Sequence, residues 1–286
     1  MILVTAAGGT TGLAVTGALT ARGVPVRALV GSDRARAALE AHGAQVVRGD
    51  LEGDLGAALD GVESVYAIWP NFDEGEVAGA PRLFRAARAA GVRRVVYHSV
   101  LRPGLRVMPH HAGKAAAEEQ LDAVGVAWRV LQPCAYADNL DAAVREAVET
   151  GQLRSAWGLS RPQSFVDVRD VAECAAVLLT EEGLDSGTFE VAGPEPLTAA
   201  DLAERVTAVS GRDVVAVDAP ASPDRGTYAG RCLATMFDWY RDHGFAGSPR
   251  VATALLGRPP RSYTDHLADV LGTVGGAAEG VPPASS

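Results

Sequence analysis

The residues near the start of the chain best suited to chemistry are Thr5-Ala6-Ala7-Gly8-Gly9-Thr10-Thr11-Gly12. They join an apolar run at 2–5 to an amphipathic stretch at 10–22. A turn built from such small side chains lets backbone N–H groups approach a pyrophosphate at a helix N-terminus. Gly9 and Gly12 have the spacing for close phosphate approach and tight helix–strand packing, with Gly8, Thr10 and Thr11 around them. Ala6 holds the first small position. It is tolerable there only if the backbone does not require φ > 0, where its Cβ costs ~1 kcal/mol. A second candidate is Lys114, the single lysine against 25 arginines, four residues after His110. Its compact charge is not interchangeable with a guanidinium fork.

The elements that must position these groups alternate along the first two thirds of the chain. Short apolar runs at 2–5, Val26–Val30, Gln45–Arg48, 62–68, Arg94–His98 and 126–131 read as strands. Helical stretches separate them: 10–22, one N-capped by Ser32 or Asp33 and running through His42, one containing 81–90, and one containing 114–124. Strands each followed by a helix call for a parallel sheet with right-handed crossovers. The expectation is an α/β fold, a doubly wound parallel sheet of Rossmann type with a smaller C-terminal α/β substrate lobe. The dinucleotide-binding domain spans 1–155, with 165–192 contributing further strand and helix elements. The lobe spans 193–274, and the Gly/Ala/Pro/Ser-rich residues 275–286 read as a disordered tail.

The second strand ends Ala28-Leu29-Val30-Gly31-Ser32, with no acid at its tip to bind a ribose diol. Asp33 has roughly the right spacing but serves equally well as a helix cap. Ser32, Arg34 and Arg36 are suited to a 2′-phosphate, which favours NADP(H) over NAD(H). Asp50 and Leu51, just beyond the third strand, are placed for the adenine. Ile68 and Trp69 end the fourth strand, and Pro133 and Tyr136 follow the sixth; these four fall at the nicotinamide end. Trp69, Pro70, His111 and Tyr136 are candidates for an apolar pocket that stacks on a flat substrate, with core packing the competing reading.

In order and spacing these motifs resemble the NmrA-like branch of the atypical short-chain dehydrogenase/reductases. The likeness rests on residues 4–12, Gly49-Asp50-Leu51, Val96-Tyr97-His98-Ser99-Val100 and Met108-Pro109-His110-His111-Ala112-Gly113-Lys114. It continues through Leu131-Gln132-Pro133 with Tyr136 and Asn139, and Phe165-Val166-Asp167-Val168-Arg169-Asp170. The resemblance implies NADPH-dependent reduction of small carbonyl, quinone or imine-like compounds, or dinucleotide binding that only reports redox state to a partner. It also implies a Ser that polarises a carbonyl, a Tyr that supplies a proton, and a Lys four residues later that holds the nicotinamide ribose. Ser99 and Lys114 match two of these, but the residue four before Lys114 is His110. Catalytic roles are therefore expected for Ser99, His110 and Lys114, with a nearby ammonium favouring neutral His110. A third reading is non-redox acid–base chemistry such as cyclisation, dehydration or isomerisation.

Composition narrows the partners. A formal charge of −9 disfavours direct binding of a nucleic-acid backbone or an anionic membrane. No apolar run approaches the ~20 residues of a membrane-spanning helix, and the N-terminus reads directly into a strand without a leader, so the expected compartment is the cytoplasm. Cys134, Cys174 and Cys232 are odd in number and widely spaced, indicating buried thiols rather than disulfides or zinc ligands. His110 and His111 diverge around a helix with no carboxylate at ligand spacing, so no metal is expected. The expected partner is a small-molecule substrate, and the expected assembly a monomer or homodimer.

Overall fold

A computed structural model describes residues 1–272; the expected tail at 275–286 lies outside the described residues. The first half reads β1 (Ile2–Val4), α1 (Thr10–Thr20), β2 (Val26–Val30), α2 (Arg36–Ala41), β3 (Gln45–Arg48), α3 (Gly56–Leu59) and β4 (Ser64–Ala67). It continues with α4 (Glu76–Ala89), β5 (Arg94–His98), α5 (Pro109–Val124), β6 (Ala127–Pro133), β7 (Ala135–Tyr136) and α6 (Asp141–Thr150). Then come β8 (Gln152–Ser155), β9 (Gln163–Val166), α7 (Val168–Thr180), β10 (Gly187–Val191), β11 (Pro196–Leu197) and α8 (Ala199–Ser210). The described chain closes with β12 (Val215–Asp218), α9 (Tyr228–His243), α10 (Arg250–Leu256) and α11 (Tyr263–Val270).

Seven strands form one parallel sheet in the order β10-β6-β5-β4-β1-β2-β3. Its central strands are covered on both faces, so they are buried along nearly their whole length rather than alternating between buried and exposed residues. Successive side chains still divide between the faces. Ile2 and Val4 join Val15, Leu19, Val171 and Ala175 beneath α1 and α7, while Leu3 joins Val65, Leu83, Phe84 and Leu121 beneath α4 and α5. The order reverses between β1 and β4, which opens a crevice at the carboxyl edge.

The lobe has its own core. Val144 and Ala147 of α6 and Leu153 of β8 pack with Leu202 and Val206 of α8 and Leu267 of α11. Residues 137–155 thus share the lobe's apolar cluster, although the sequence pattern groups them with the first domain. The cause is the amphipathic face of α6, which sequence periodicity did not single out. Residues 187–191, by contrast, return to the large sheet as β10, beside β6. The lobe segment after α10 is clamped to α7: Arg258 and Arg261 both donate to fully buried Asp170 and to Glu173. The Asp170 of the sequence motif is therefore a docking residue.

Candidate functional site

β1 hands the chain to a strained turn. Ala6 adopts φ +43°, so the condition under which alanine is comfortable there is not met. Thr5 fixes the turn by donating from Oγ1 to the Ile68 carbonyl at 2.6 Å and accepting from the Ile68 amide at 2.9 Å, across the switch point. Ile68 thus acts through its backbone. A Cβ at Gly12 would lie 2.6 Å from Ala7 Cα and 2.7 Å from the Ala6 oxygen, so only glycine lets α1 pack this closely. Gly9 is the N-cap of α1, no side chain caps its first turn, and no acid lies within it. Gly8, Gly9 and Thr10 are exposed. Uncapped N–H donors at the positive end of a helix fit a pyrophosphate.

At the tip of β2, Asp33 is engaged by Arg36 at 2.8 Å and Arg48 at 3.5 Å, and Arg36 also reaches Glu40 at 3.2 Å. The carboxylate at the spacing of a ribose-diol acid is therefore ion-paired. Ser32 and Arg34 are exposed beside it, and Ser32 makes no cap bond. Asp50 accepts the Glu52 amide at 2.9 Å, which closes a turn, and Leu51 beside it is half-buried.

Beneath the loop runs a buried chain of polar groups that sequence reasoning missed. His98 Nδ1 lies 2.5 Å from the Tyr66 hydroxyl and Nε2 lies 2.8 Å from the Tyr136 hydroxyl, which Thr11 Oγ1 approaches at 3.4 Å. Burial, then Lys114, lowers the His98 pKa to about 3, so the ring is neutral. One nitrogen then donates and the other accepts, so one tyrosine hydroxyl donates a hydrogen bond to the ring while the other accepts one from it. The alternation of β5 turns Tyr97 to the opposite face, where its hydroxyl donates to Glu76 Oε1 at 2.8 Å.

Lys114 is 7% exposed and donates to Glu76 Oε1 at 2.6 Å and to the His98 carbonyl at 2.8 Å. Its ammonium also sits 5.1 Å from the centre of the Tyr97 ring. A lysine on a polar surface, with Glu118 one turn away as partner, is therefore excluded. Glu118 instead accepts from Gln132 at 3.0 Å, and burial raises its pKa. Glu76, the first residue of α4, is the counter-ion the sequence did not reveal. His110 stands one turn before Lys114 with Nδ1 buried and unpartnered, its ring edge-on to Phe72 at 5.1 Å. Burial is the main cause that lowers its pKa to about 3, with His111 and Lys114 contributing.

Lys114, His110, Glu76, Gly113, Phe72 and Tyr228 line a narrow crevice of about 10 Å³, room for about one water. Tyr228 comes from α9 of the lobe. Three expected residues lie elsewhere. Ser99 is fully buried, its hydroxyl beside the Glu118 carboxylate, and does not line the crevice. His111 is buried and donates from Nδ1 to the Arg102 carbonyl at 3.0 Å, which holds a turn rather than a substrate. The Trp69 ring is packed into the core so tightly that a Cβ on Gly79 of α4 would lie 2.2 Å from it. Pro70 is exposed beyond it, Pro133 ends β6 with its carbonyl accepting the Leu101 amide at 2.8 Å, and Tyr136 joins the His98 chain.

Ligand-type atoms of Asp138, Asp167 and His266 also converge within 4.8 Å of one another. Each already has a protein partner: Arg169 pairs with Asp167 at 2.5 Å, His266 pairs with Asp141 at 2.8 Å and Asp167 at 3.3 Å, and Asp138 accepts the Val168 amide at 3.1 Å. The positive charge a cation would bring is already supplied by protein. Among the described residues no helix is long and apolar enough to cross a membrane.

The sheet order, its glycine-bearing first turn and the crevice at the strand reversal define a Rossmann-type α/β protein. More narrowly, the chain belongs to the NmrA-like family, whose family model matches residues 1–258. It is similar to the NAD(P)H azoreductase of Xenophilus azovorans, 32% identical over 221 residues and 75% of either chain. It is also similar to quinone oxidoreductase 2 of Escherichia coli, 30% identical over 219 residues, 75% of this chain and 76% of that one. A crystal structure of an NADPH-dependent quinone oxidoreductase from Escherichia coli complexed with NADPH shares the fold. Its TM-score is 0.83 at 24% identity, covering 95% of this chain and 100% of that one.

Proposed function

We propose that the protein is an NADP(H)-dependent oxidoreductase that reduces a small aromatic, quinone-like or carbonyl acceptor. The observation that carries this reading is the free anion site at both ends of one path. The first turn of α1 is uncapped, and Ser32 and Arg34 stand at the tip of β2 beside an acid already ion-paired. Gly8, Gly9, Thr10, Thr11 and Gly12 hold the pyrophosphate, with Ala6 shaping the turn. Ser32 and Arg34 meet the 2′-phosphate, and Asp50 and Leu51 border the adenine. Ile68, the Trp69 backbone, Pro133 and Tyr136 surround the nicotinamide end. Lys114, held by Glu76, faces the ribose there. The bound dinucleotide supplies a hydride. The likeness to an azoreductase and a quinone oxidoreductase supports this acceptor class.

The test mixes purified protein with NADPH and a panel of quinones, azo compounds and aldehydes while the reduced-nicotinamide absorbance is followed. Acceptor-dependent oxidation is expected, faster with NADPH than with NADH; no oxidation across the panel would refute the reading. One observation favours a second reading, a nucleotide-sensing protein without turnover: the group one turn before Lys114 is neutral His110 rather than a phenol. That reading requires affinities that differ between NADPH and NADP⁺, measurable by calorimetry, and no oxidation with any acceptor.

A further inference from the structure

Five side chains around the crevice carry a group that could exchange a proton: Asp73, Glu76, His110, Lys114 and Tyr228. Lys114 is committed to Glu76 and the His98 carbonyl. Glu76 is committed as the acceptor of both Lys114 and Tyr97. Asp73 is exposed and turns its oxygen to the Gly75 amide at 2.8 Å. His110 is buried in its neutral form, and a neutral imidazole surrenders its remaining proton only at very high pH.

We infer that Tyr228 is the proton donor of this site, its phenol delivered from the lobe helix α9 rather than from the turn of α5 before Lys114. Its hydroxyl approaches α5 beside Gly113, where a Cβ would lie 3.9 Å from it, between His110 and Lys114. The placement is built in. Tyr228 opens α9 directly after its N-cap Thr227, whose hydroxyl accepts the Gly230 amide at 3.0 Å. A Cβ on Gly230 would fall 1.7 Å from the Asp224 carbonyl oxygen, so only glycine lets the preceding loop close over this first turn. Arg231 stands 5.8 Å from the ring centre, where its charge favours a phenolate as one forms. Burial keeps the resting phenol protonated at neutral pH.

This assignment rests on the redox reading above. The hydride carries two electrons to one atom of the acceptor's C=O or N=N bond. The displaced π pair on the other atom then forms a bond to the Tyr228 proton as the phenolic O–H breaks. Tyr228 is half-exposed, so its phenolate recovers a proton from water.

The test is Tyr228→Phe, which keeps the ring and its packing. Two measurements are made: NADPH-dependent reduction of menadione, and menadione binding to nucleotide-free protein by tryptophan quenching. The expected result is a kcat about 100-fold lower with the KM for NADPH unchanged, and menadione affinity about fivefold weaker. A kcat within twofold of the parent would overturn the assignment. If the parent oxidises no NADPH, the redox reading fails on its own. The binding arm then decides, and equal menadione affinity in parent and variant removes Tyr228 from the site.

Discussion

Lys114 and Glu76 meet at 2.6 Å in a buried ion pair, each side chain less than a tenth exposed. The two residues come from neighbouring helices, α5 and α4, and the pair closes over the Tyr97 ring and hydroxyl. A charge taken out of water is tolerable only while its partner and hydrogen bonds remain. The lysine is therefore tied to the packing of both helices.

Glu76→Ala strands the ammonium in this setting. It is expected to lower unfolding free energy by about 3 kcal/mol in urea denaturation, and to weaken NADPH binding because Lys114 loses its anchor. A loss below about 0.5 kcal/mol would show that the pair does not hold the helices together.

Acid should destabilise the fold through its buried histidines. His98 and His110 are lowered to about 3 and His111 to about 4, all chiefly by burial. The unfolded chain binds protons near pH 6.5 that the folded one refuses, so stability falls as pH drops from about 6.5 toward 4. Each such histidine contributes a slope of up to ~1.4 kcal/mol per pH unit. His266 runs the other way: burial opposes protonation, but Asp167 and Asp141 raise its pKa. Its contribution is complete below about pH 6.5 and disappears as pH rises through its folded value. Denaturation curves at several pH values should show a shallower acid slope in His98→Asn and a smaller alkaline loss in His266→Gln.

Relief of strain gives a third expectation. Ala6 sits at φ +43°, which costs about 1 kcal/mol, and glycine there loses roughly half of that gain to chain entropy. Ala6→Gly should therefore raise the unfolding free energy by about 0.5 kcal/mol. A drop of 1 kcal/mol would mean that the methyl is needed for packing.

Nucleotide choice supplies the fourth. Arg34→Ala should weaken NADPH binding about tenfold, the scale of one charge-assisted contact, and leave NADH binding unchanged in calorimetry. Equal losses for both nucleotides would place Arg34 away from the 2′-phosphate.

Much of this architecture was legible in the sequence. Val26–Val30, Gln45–Arg48 and Arg94–His98 are short β-branched runs whose bounds coincide with the strands formed. Gly12 was marked by spacing, and the structure shows the contact that demands it. The site itself was half legible. His110 and Lys114 share a helical face at four-residue spacing, so periodicity places them together. Phe72 and Glu76 come from a second stretch of chain and Tyr228 from a third, and nothing local marks them as neighbours of His110 and Lys114. The orientations of Trp69 and His111 were hidden for a related reason. A strand end or a helix turn does not say which way a side chain faces, and both face the interior.

The burial of Lys114 has a practical corollary. The chain contains one lysine, so its folded surface presents no ε-amine to reagents that seek one. Amine-directed acylation of a lysine side chain can occur only when α4 and α5 part enough to release Lys114 from Glu76. The extent of that modification, read by mass at a single residue, thus becomes a clock for opening of the crevice that needs no substitution.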